Sequence, residues 1–326
     1  MSKFKSVIGL SAAAVLLLAG CATNSNPSAA AYEGLNPTCE HFKGGAEIDQ
    51  VKVSYTEGKT PTVEFPTKAD GTSELSKITA SQTKVIKEGS GPEFTGDQLV
   101  SIEYSVINAS TGVVLGNSKF DGTDTAVQVF DNKSTKVFCD ALTGVKEGSL
   151  VAFANPKSEA DAQGTLYVLL LKKIYLPHAN GDLQPLPSGF PQVVRAPKTG
   201  QPGLVKPSFS APKDFQKATL IKGKGEVVKQ GDSVTVHYVG WVWGNEIGAA
   251  FDSSWDSGNG PATFTLKTGD GGVISGFVKT IEGETVGSQV IASLPSADGY
   301  GPNGNGSSIP GGATLLFIVD IVGINK

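Results

Sequence analysis

An internal repeat constrains this chain more than any other feature of its sequence. Residues 138–156, FCDALTGVKEGSLVAFANP, align without a gap to residues 277–295, FVKTIEGETVGSQVIASLP. They share the Phe, both glycines, the Gly-Ser pair and the terminal Pro. Upstream, Val100-Ser101-Ile102-Glu103-Tyr104 matches Val234-Thr235-Val236-His237-Tyr238, and Phe120-Asp121 matches Phe251-Asp252. VIKEGSG at 85–91 resembles LIKGKG at 220–225, and the lead-in QVKVSYTEG at 50–58 resembles QVVRAPKTG at 192–200. A chain that repeats itself over so long a stretch is built from two copies of one unit. The Pro-rich residues 176–190 then read as the linker between them.

Each copy reads mostly as strand. Residues 233–241 alternate Val234, Val236 and Tyr238 with polar partners, the period of a half-buried strand. Residues 287–294 and 313–322 also read as strands, the second rich in β-branched residues. Between them Ile274, Phe277, Val278 and Ile281 recur at helical spacing over two turns before Gly283. So short a helix is not stable alone and must be held across a sheet. The expected fold class is α+β: two units, each an antiparallel sheet of five or six strands wrapped around one short helix.

The N-terminus carries an export pattern. Lys3 and Lys5 precede an apolar stretch at 7–20. As a helix those fourteen residues would span about 21 Å, short of the ~30 Å hydrocarbon core. Leu18-Ala19-Gly20-Cys21 resembles the bacterial lipobox, which implies removal of residues 1–20 and lipidation of Cys21. Residues 21–45 begin with a run of Ala, Asn, Ser and Pro and read as a flexible tether. Loss of the signal takes the formal charge from −4 to −6. A mildly acidic body argues against nucleic acid and against a basic lipid-binding face, leaving the lipid anchor as the one membrane contact.

Cys39 and Cys139 remain after Cys21. In an exported protein such a pair reads as a disulfide with one possible connectivity; two buried free thiols are the alternative. Three histidines far apart in sequence and no CxxC pair argue against a zinc site, and no other metal or cofactor is expected. G-x-S-x-G and G-x-G-x-x-G are absent.

What the second copy carries instead is aromatic and aliphatic. Its motifs VHYVG, FDSSWD, VISGF, VGS, GYG and GGATLLFIVDI follow one another in the order and spacing of the FKBP-type peptidyl-prolyl isomerases, which residues 215–325 resemble. The resemblance implies a shallow pocket between sheet and helix that accepts the proline of an Xaa-Pro bond. Its residues would be Tyr238, Phe251, Asp252, Val273, Ile274, Phe277, Tyr300, Ile309 and Phe317. Phe251, Phe277 and Phe317 would wall the proline ring, Tyr300 would hold the substrate carbonyl, and Asp252 would orient Tyr238. The resemblance also implies macrolide-type ligands for the pocket. Taken singly, Tyr238, Phe317 and the helical residues read equally well as core, and Asp252 as a turn carboxylate.

Three positions depart from the family pattern. The pocket floor, often Trp, is Phe277; Ala262 stands where a second wall aromatic is common, and Ser308 where the flap is usually aliphatic. These changes predict a shallower, wetter pocket and reduced activity, with Trp241, Trp243 and Trp255 available as a peptide-binding rim. The first copy departs further. It keeps Tyr104, Phe120, Asp121 and Phe138, but Ser134 and Thr135 fall where Val273 and Ile274 stand, and its flap is cut to residues 157–164. Residues 46–175 therefore read as a degenerate FKBP-like unit and residues 191–326 as the isomerase unit.

The expected function is a lipid-anchored isomerase on the extracytoplasmic face of a bacterial membrane, acting on Xaa-Pro bonds of exported polypeptides as they fold. The alternative is a non-catalytic binding protein or chaperone on the same fold.

Overall fold

A computed structural model describes residues 39–65, 68–69, 71–159, 161–197, 199–244, 250–256 and 260–325. The signal segment, Cys21 and the tether up to residue 38 lie outside the described residues. Along the first half run α1 (Ala46–Asp49), β1 (Lys52–Ser54), β2 (Thr62–Glu64), β3 (Gln82–Lys87), β4 (Gln98–Asn108), β5 (Val114–Asn117), β6 (Ala126–Phe130), α2 (Lys136–Leu142), β7 (Leu150–Asn155) and β8 (Thr165–Ile174). The second half adds β9 (Asp182–Leu183), β10 (Val193–Arg195), β11 (Pro202–Leu204), β12 (Gln216–Lys222), β13 (Ser233–Val242), β14 (Asp252–Ser253), β15 (Ala262–Thr265), α3 (Ser275–Ile281), β16 (Gln289–Leu294) and β17 (Leu315–Asn325).

The strands assemble into two antiparallel sheets of matching order. The first runs β3-β7-β8-β4-β5, with β6 also on β4. The second runs β14-β13-β17-β16-β12-β9, with β15 also on β13. Reversed, its first five strands repeat the first sheet position for position, and α2 and α3 each lie across one face. The first sheet holds six strands, as expected, and the second holds seven, because it recruits the short edge strand β9. Each helix has only seven residues and is held by packing. Phe277, Val278 and Ile281 enter a core with Val234, Val236, Phe317 and Val319. Gly283 then takes φ 80°, the left-handed conformation that ends a helix without a Cβ clash.

Both faces of each sheet are covered. Behind the second sheet Phe190, Leu204, Leu220, Val239, Trp241, Ile291 and Ile318 form a further core. That is why β17 reads LLFIV, apolar at every position: odd residues face the helix and even ones the back. The cover comes from residues 176–204, so the Pro-rich stretch is packed chain and not a bare linker. β9 pairs with β12, and Ala179 donates its N–H to Asp320 Oδ2 at 2.9 Å. Asp320 Oδ1 accepts from Gln289 Nε2 at 2.7 Å, and Gln289 Oε1 accepts from Arg195 Nε at 2.9 Å. The lead-in repeats are not sheet strands either. They form the small hairpins β1–β2 and β10–β11, and Val53, Val63 and Val193 pack against the back-face cores.

The halves meet where β8 leaves the first sheet. Tyr175 donates its N–H to Leu99 O at 3.0 Å, and Leu176 donates to Val322 O at 3.1 Å. The Tyr175 ring lies where a Cβ on Gly323 would come within 2.5 Å, and its hydroxyl bonds Asn325 Oδ1. Leu99, Tyr175 and Val322 close the junction with an apolar contact. Cys39 and Cys139 are joined by a disulfide with Cα atoms 5.6 Å apart, fastening the N-terminal segment to α2. Phe42 N–H to Asp140 O, 3.2 Å, and Glu40 N–H to Asp140 Oδ1, 2.9 Å, continue that attachment.

Two titrating groups are buried in the second sheet. The His237 ring stacks on Trp255 at 3.9 Å, and its Nδ1 lies 2.9 Å from Ser254 Oγ. Burial, then the charge of His178, pushes the imidazole down to about 3. The unfolded chain takes up this proton near pH 6.5, so His237 favours folding above that pH. Its contribution is lost as pH falls from there toward about 3. Burial pushes the Asp320 carboxyl up, which acts with the opposite sign. Melting temperatures should fall from about pH 7 to about pH 4, and His237→Gln should flatten that fall. An unchanged slope in the variant would show that His237 does not carry it.

Candidate functional site

The candidate site is built on the register between two strands. Tyr238 on β13 pairs with Val319 on β17, and Gly240 pairs with Phe317. Tyr238 and Phe317 thereby stand on the helix-facing side, and α3 brings Phe277 beneath them. The Tyr238 and Phe277 rings are 6.1 Å apart at 86°, Phe277 and Phe317 5.6 Å at 87°, and Phe251 and Phe317 5.6 Å at 86°. These are edge-to-face contacts, the favoured geometry for ring quadrupoles. Val273 and Ile274 before α3, and Tyr300 and Ile309 from the loop between β16 and β17, pack against the same cluster.

One polar pair completes it. The Tyr238 hydroxyl donates to Asp252 Oδ2 at 2.6 Å. Asp252 is exposed at the rim, while Tyr238 is half-buried. Burial, then the Asp252 bond and charge, hold the phenol far above its ordinary range. Tyr238 therefore stays a neutral donor, and its ring is fixed from both ends. All nine residues assigned to the pocket from the sequence are brought together: eight join the apolar cluster, and Asp252 is tied to it through Tyr238.

Two members were missed. Phe264 stands two residues beyond Ala262 on the same face of β15, and its ring lies 5.5 Å from Phe277 and 5.9 Å from Tyr238. The period-two alternation Ala262-Thr263-Phe264 was the available signal. Gly240 is the second. A Cβ there would sit 2.6 Å from Phe251 Cζ and 2.8 Å from Phe317 Cε1, so glycine is what lets these rings approach the strand. Ser308, on the flap, is exposed, whereas neighbouring Ile309 is buried in the cluster.

The tryptophan rim is overturned. Trp241 is buried on the back of the sheet with Phe190 and Leu204, and Trp243 and Trp255 pack against that core. Odd positions of β13 face away from the pocket, so the strand's own period removes Trp241 from it.

The first half keeps less of the site than its sequence suggests. Ser118 donates its N–H to Tyr104 O at 2.8 Å and accepts from Tyr104 N at 3.0 Å through its hydroxyl. Ser254 makes the same two bonds to Tyr238, at 3.0 and 2.9 Å. With Ser118 equivalent to Ser254, the residues in the places of Phe251 and Asp252 are Leu115 and Gly116. The alignment of Phe120-Asp121 with Phe251-Asp252 is therefore corrected. Phe120, at φ 60°, turns its ring into the back-face core, 6.1 Å from Tyr55. Asp121 is exposed and accepts from Thr123 N and Oγ1 at 2.9 and 2.6 Å.

The family model for FKBP-type peptidyl-prolyl cis-trans isomerases matches residues 224–322, the segment that carries this pocket. A probable FK506-binding protein of Corynebacterium glutamicum is 37% identical over 122 residues, covering 37% of this chain and 97% of the relative. An FK506-binding protein of Streptomyces anulatus is 36% identical over 132 residues, covering 40% and 98%. One from Neisseria meningitidis serogroup B is 41% identical over 103 residues, covering 32% and 89%. The chain belongs to the FKBP-type peptidyl-prolyl cis-trans isomerases, enzymes that rotate Xaa-Pro bonds.

Gly240→Ala should destabilise the chain by about 1–3 kcal/mol through overpacking and should lower isomerase activity by displacing Phe251. Chemical denaturation and turnover of a proline peptide read the two effects. Retention of both would mean that the rings do not depend on this close approach.

Proposed function

We propose that the second half, residues 191–326, is the isomerase domain, that its site is the Tyr238–Phe317 pocket, and that its substrates are exported polypeptides. The Tyr238–Asp252 hydrogen bond at the mouth of a ring-lined pocket is the observation that carries this reading. Amide resonance sets a rotation barrier of ~18–20 kcal/mol and places partial charges on O and N. The twisted transition state is less polar, so apolar walls penalise the planar ground state more. Proline suits such a site because its two isomers lie within ~1 kcal/mol. Phe251, Phe277 and Phe317 wall the ring, with Val273, Ile274 and Ile309 closing the floor and flap. Tyr300 holds the substrate carbonyl, while Asp252 fixes Tyr238 and acts on the carbonyl dipole. Ala262 leaves one wall open to water, which favours modest turnover. The pocket also suits macrolides of the FK506 type named for the relatives.

The first half, residues 46–175, is on this reading a degenerate FKBP-like domain. The Leu-Ala-Gly-Cys sequence at 18–21 supports export and anchoring through a lipid on Cys21, with residues 21–45 as tether. Among the described residues no helix is long and apolar enough to cross a membrane. The protein would then act on the extracytoplasmic face of the cell membrane, on clients whose folding waits on proline.

Refolding of a proline-limited reporter should be accelerated by the full chain. Tyr300→Phe should slow it roughly fivefold, the worth of a hydrogen bond of about 1 kcal/mol, and Asp252→Ala by a similar factor. If both variants kept full activity, the pocket assignment would be wrong. Mass spectrometry of the mature protein should show a diacylglycerol-modified Cys21 as first residue; an unmodified Cys21 would remove the anchor.

A further inference from the structure

The first half contains a more open version of the same ring cluster. Strand register makes Tyr104 the counterpart of Tyr238 and Tyr167 that of Phe317, since Tyr104 pairs with Leu169 as Tyr238 pairs with Val319. Phe138 and Phe277 are each the third residue of their helix. The rings still cluster: Phe138 lies 5.0 Å from Tyr167, edge on, and 5.4 Å from Phe130. Phe153, fully buried, stacks on Tyr167 at 5.6 Å and is itself covered by Phe42, stacked on it at 5.8 Å.

What differs is the cover. Phe277 and Phe317 are each 4% exposed, whereas Phe138 and Tyr167 are only partly buried. Leu115, in the place of Phe251, is 61% exposed on β5, the last strand of the sheet. Gly116, in the place of Asp252, has no atom within 4 Å of where a Cβ would stand. The loop after β7 is short, residues 156–164, and has no tyrosine in the place of Tyr300. Asp161 accepts from Thr165 Oγ1 at 2.7 Å and from Gly164 N at 3.0 Å, which folds that loop into a tight turn.

We propose that Tyr104, Phe138 and Tyr167, with Leu115 at the rim, form a second polypeptide-binding site. Its occupant is an extended client segment that lays a proline ring on this shelf. The proposal rests on the reading of the matching rings of the second half as a proline pocket. Partly open rings at equivalent positions offer a similar apolar surface to the same substrate class. Gly116 in place of a carboxylate, and the missing flap tyrosine, leave binding without rotation. The first half thus holds one part of an unfolded chain while the second half turns over another. The junction at Tyr175 fixes both on one body, so capture at the shelf raises the local concentration of client at the pocket.

Two substrates read the two sites separately in the full chain. Turnover of a proline tetrapeptide, too short to span both, reads the isomerase pocket alone. Proline-limited refolding of a reduced, unfolded protein reads both, and anisotropy of the same protein, labelled and permanently unfolded, reads binding even if turnover is absent. Leu115→Ser changes an exposed side chain and should fold normally; Tyr167→Ala, checked by circular dichroism, removes the floor. Each should weaken binding of the unfolded protein and raise the KM of refolding by about tenfold, with its kcat and tetrapeptide turnover unchanged. Unaltered KM and binding in a folded Leu115→Ser and Tyr167→Ala pair would overturn the shelf. Binding that strengthens when residues 22–37 are deleted would also overturn it, because the chain's own tether would then be the occupant. A wild-type chain that binds through the shelf but turns over neither substrate would instead refute the isomerase site.

Discussion

The pairing of β13 with β17 is the constraint on which this structure depends. Ten residue pairs fix its register, and each pair decides two environments at once. Tyr238 and Phe317 go to the pocket; Trp241 and Ile318 go to the core behind it. A slip of one residue would exchange the faces and put tryptophan on the side of the proposed pocket. Gly240 lies within this ladder, and its missing side chain is the space that Phe251 and Phe317 occupy. The geometry of the proposed site is therefore a by-product of a strand register that the core would enforce without any substrate.

The same ladder stands in the first half with a different outcome. β4 pairs with β8 as β13 pairs with β17, and Ser118 ties Tyr104 as Ser254 ties Tyr238. The divergence lies in what the edge and the flap deliver. Fourteen residues separate Tyr104 from Ser118, against sixteen between Tyr238 and Ser254. The shorter connection puts Leu115 and Gly116 where ring and carboxylate are needed. Phe120, two residues past the serine, then fills a back-face hole at a strained φ that costs about 1–2 kcal/mol. Of a residue pair identical in sequence, Phe120 lies on the opposite side of the sheet and Asp121 in an exposed turn.

Covering both faces distinguishes this chain from a half-solvated antiparallel sheet. The hairpins β1–β2 and β10–β11 bury the backs of their sheets, and the segment between the halves is drawn into the second cover. Asp320 shows the cost of such burial and its remedy. The carboxyl is wholly enclosed, and it is satisfied by Ala179 from the cover and Gln289 from the sheet. The junction built on Tyr175 and Gly323 adds shape to these polar ties. Prolines in residues 176–204 suit this role, since a covering segment needs few ladder hydrogen bonds.

By itself the sequence determined the repeat, the strands with clear alternation, the short helix before Gly283 and a set of residues that the fold brings together. Each of these is carried by local periodicity or by motif order, which does not depend on the rest of the chain. It was silent on the faces. Alternation shows that Trp241 and Tyr238 point opposite ways, but the covering segment alone decides that the tryptophan side is core and not rim. Phe264 had a period-two signal that a gap of one residue hid behind Ala262. The false match of Phe120-Asp121 has a related cause: identity along the chain cannot detect two residues lost from an edge connection, whereas hydrogen bonds from Ser118 to Tyr104 can. Which rings are covered and which are open is a property of loops folding over a sheet, and only the tertiary structure decided it.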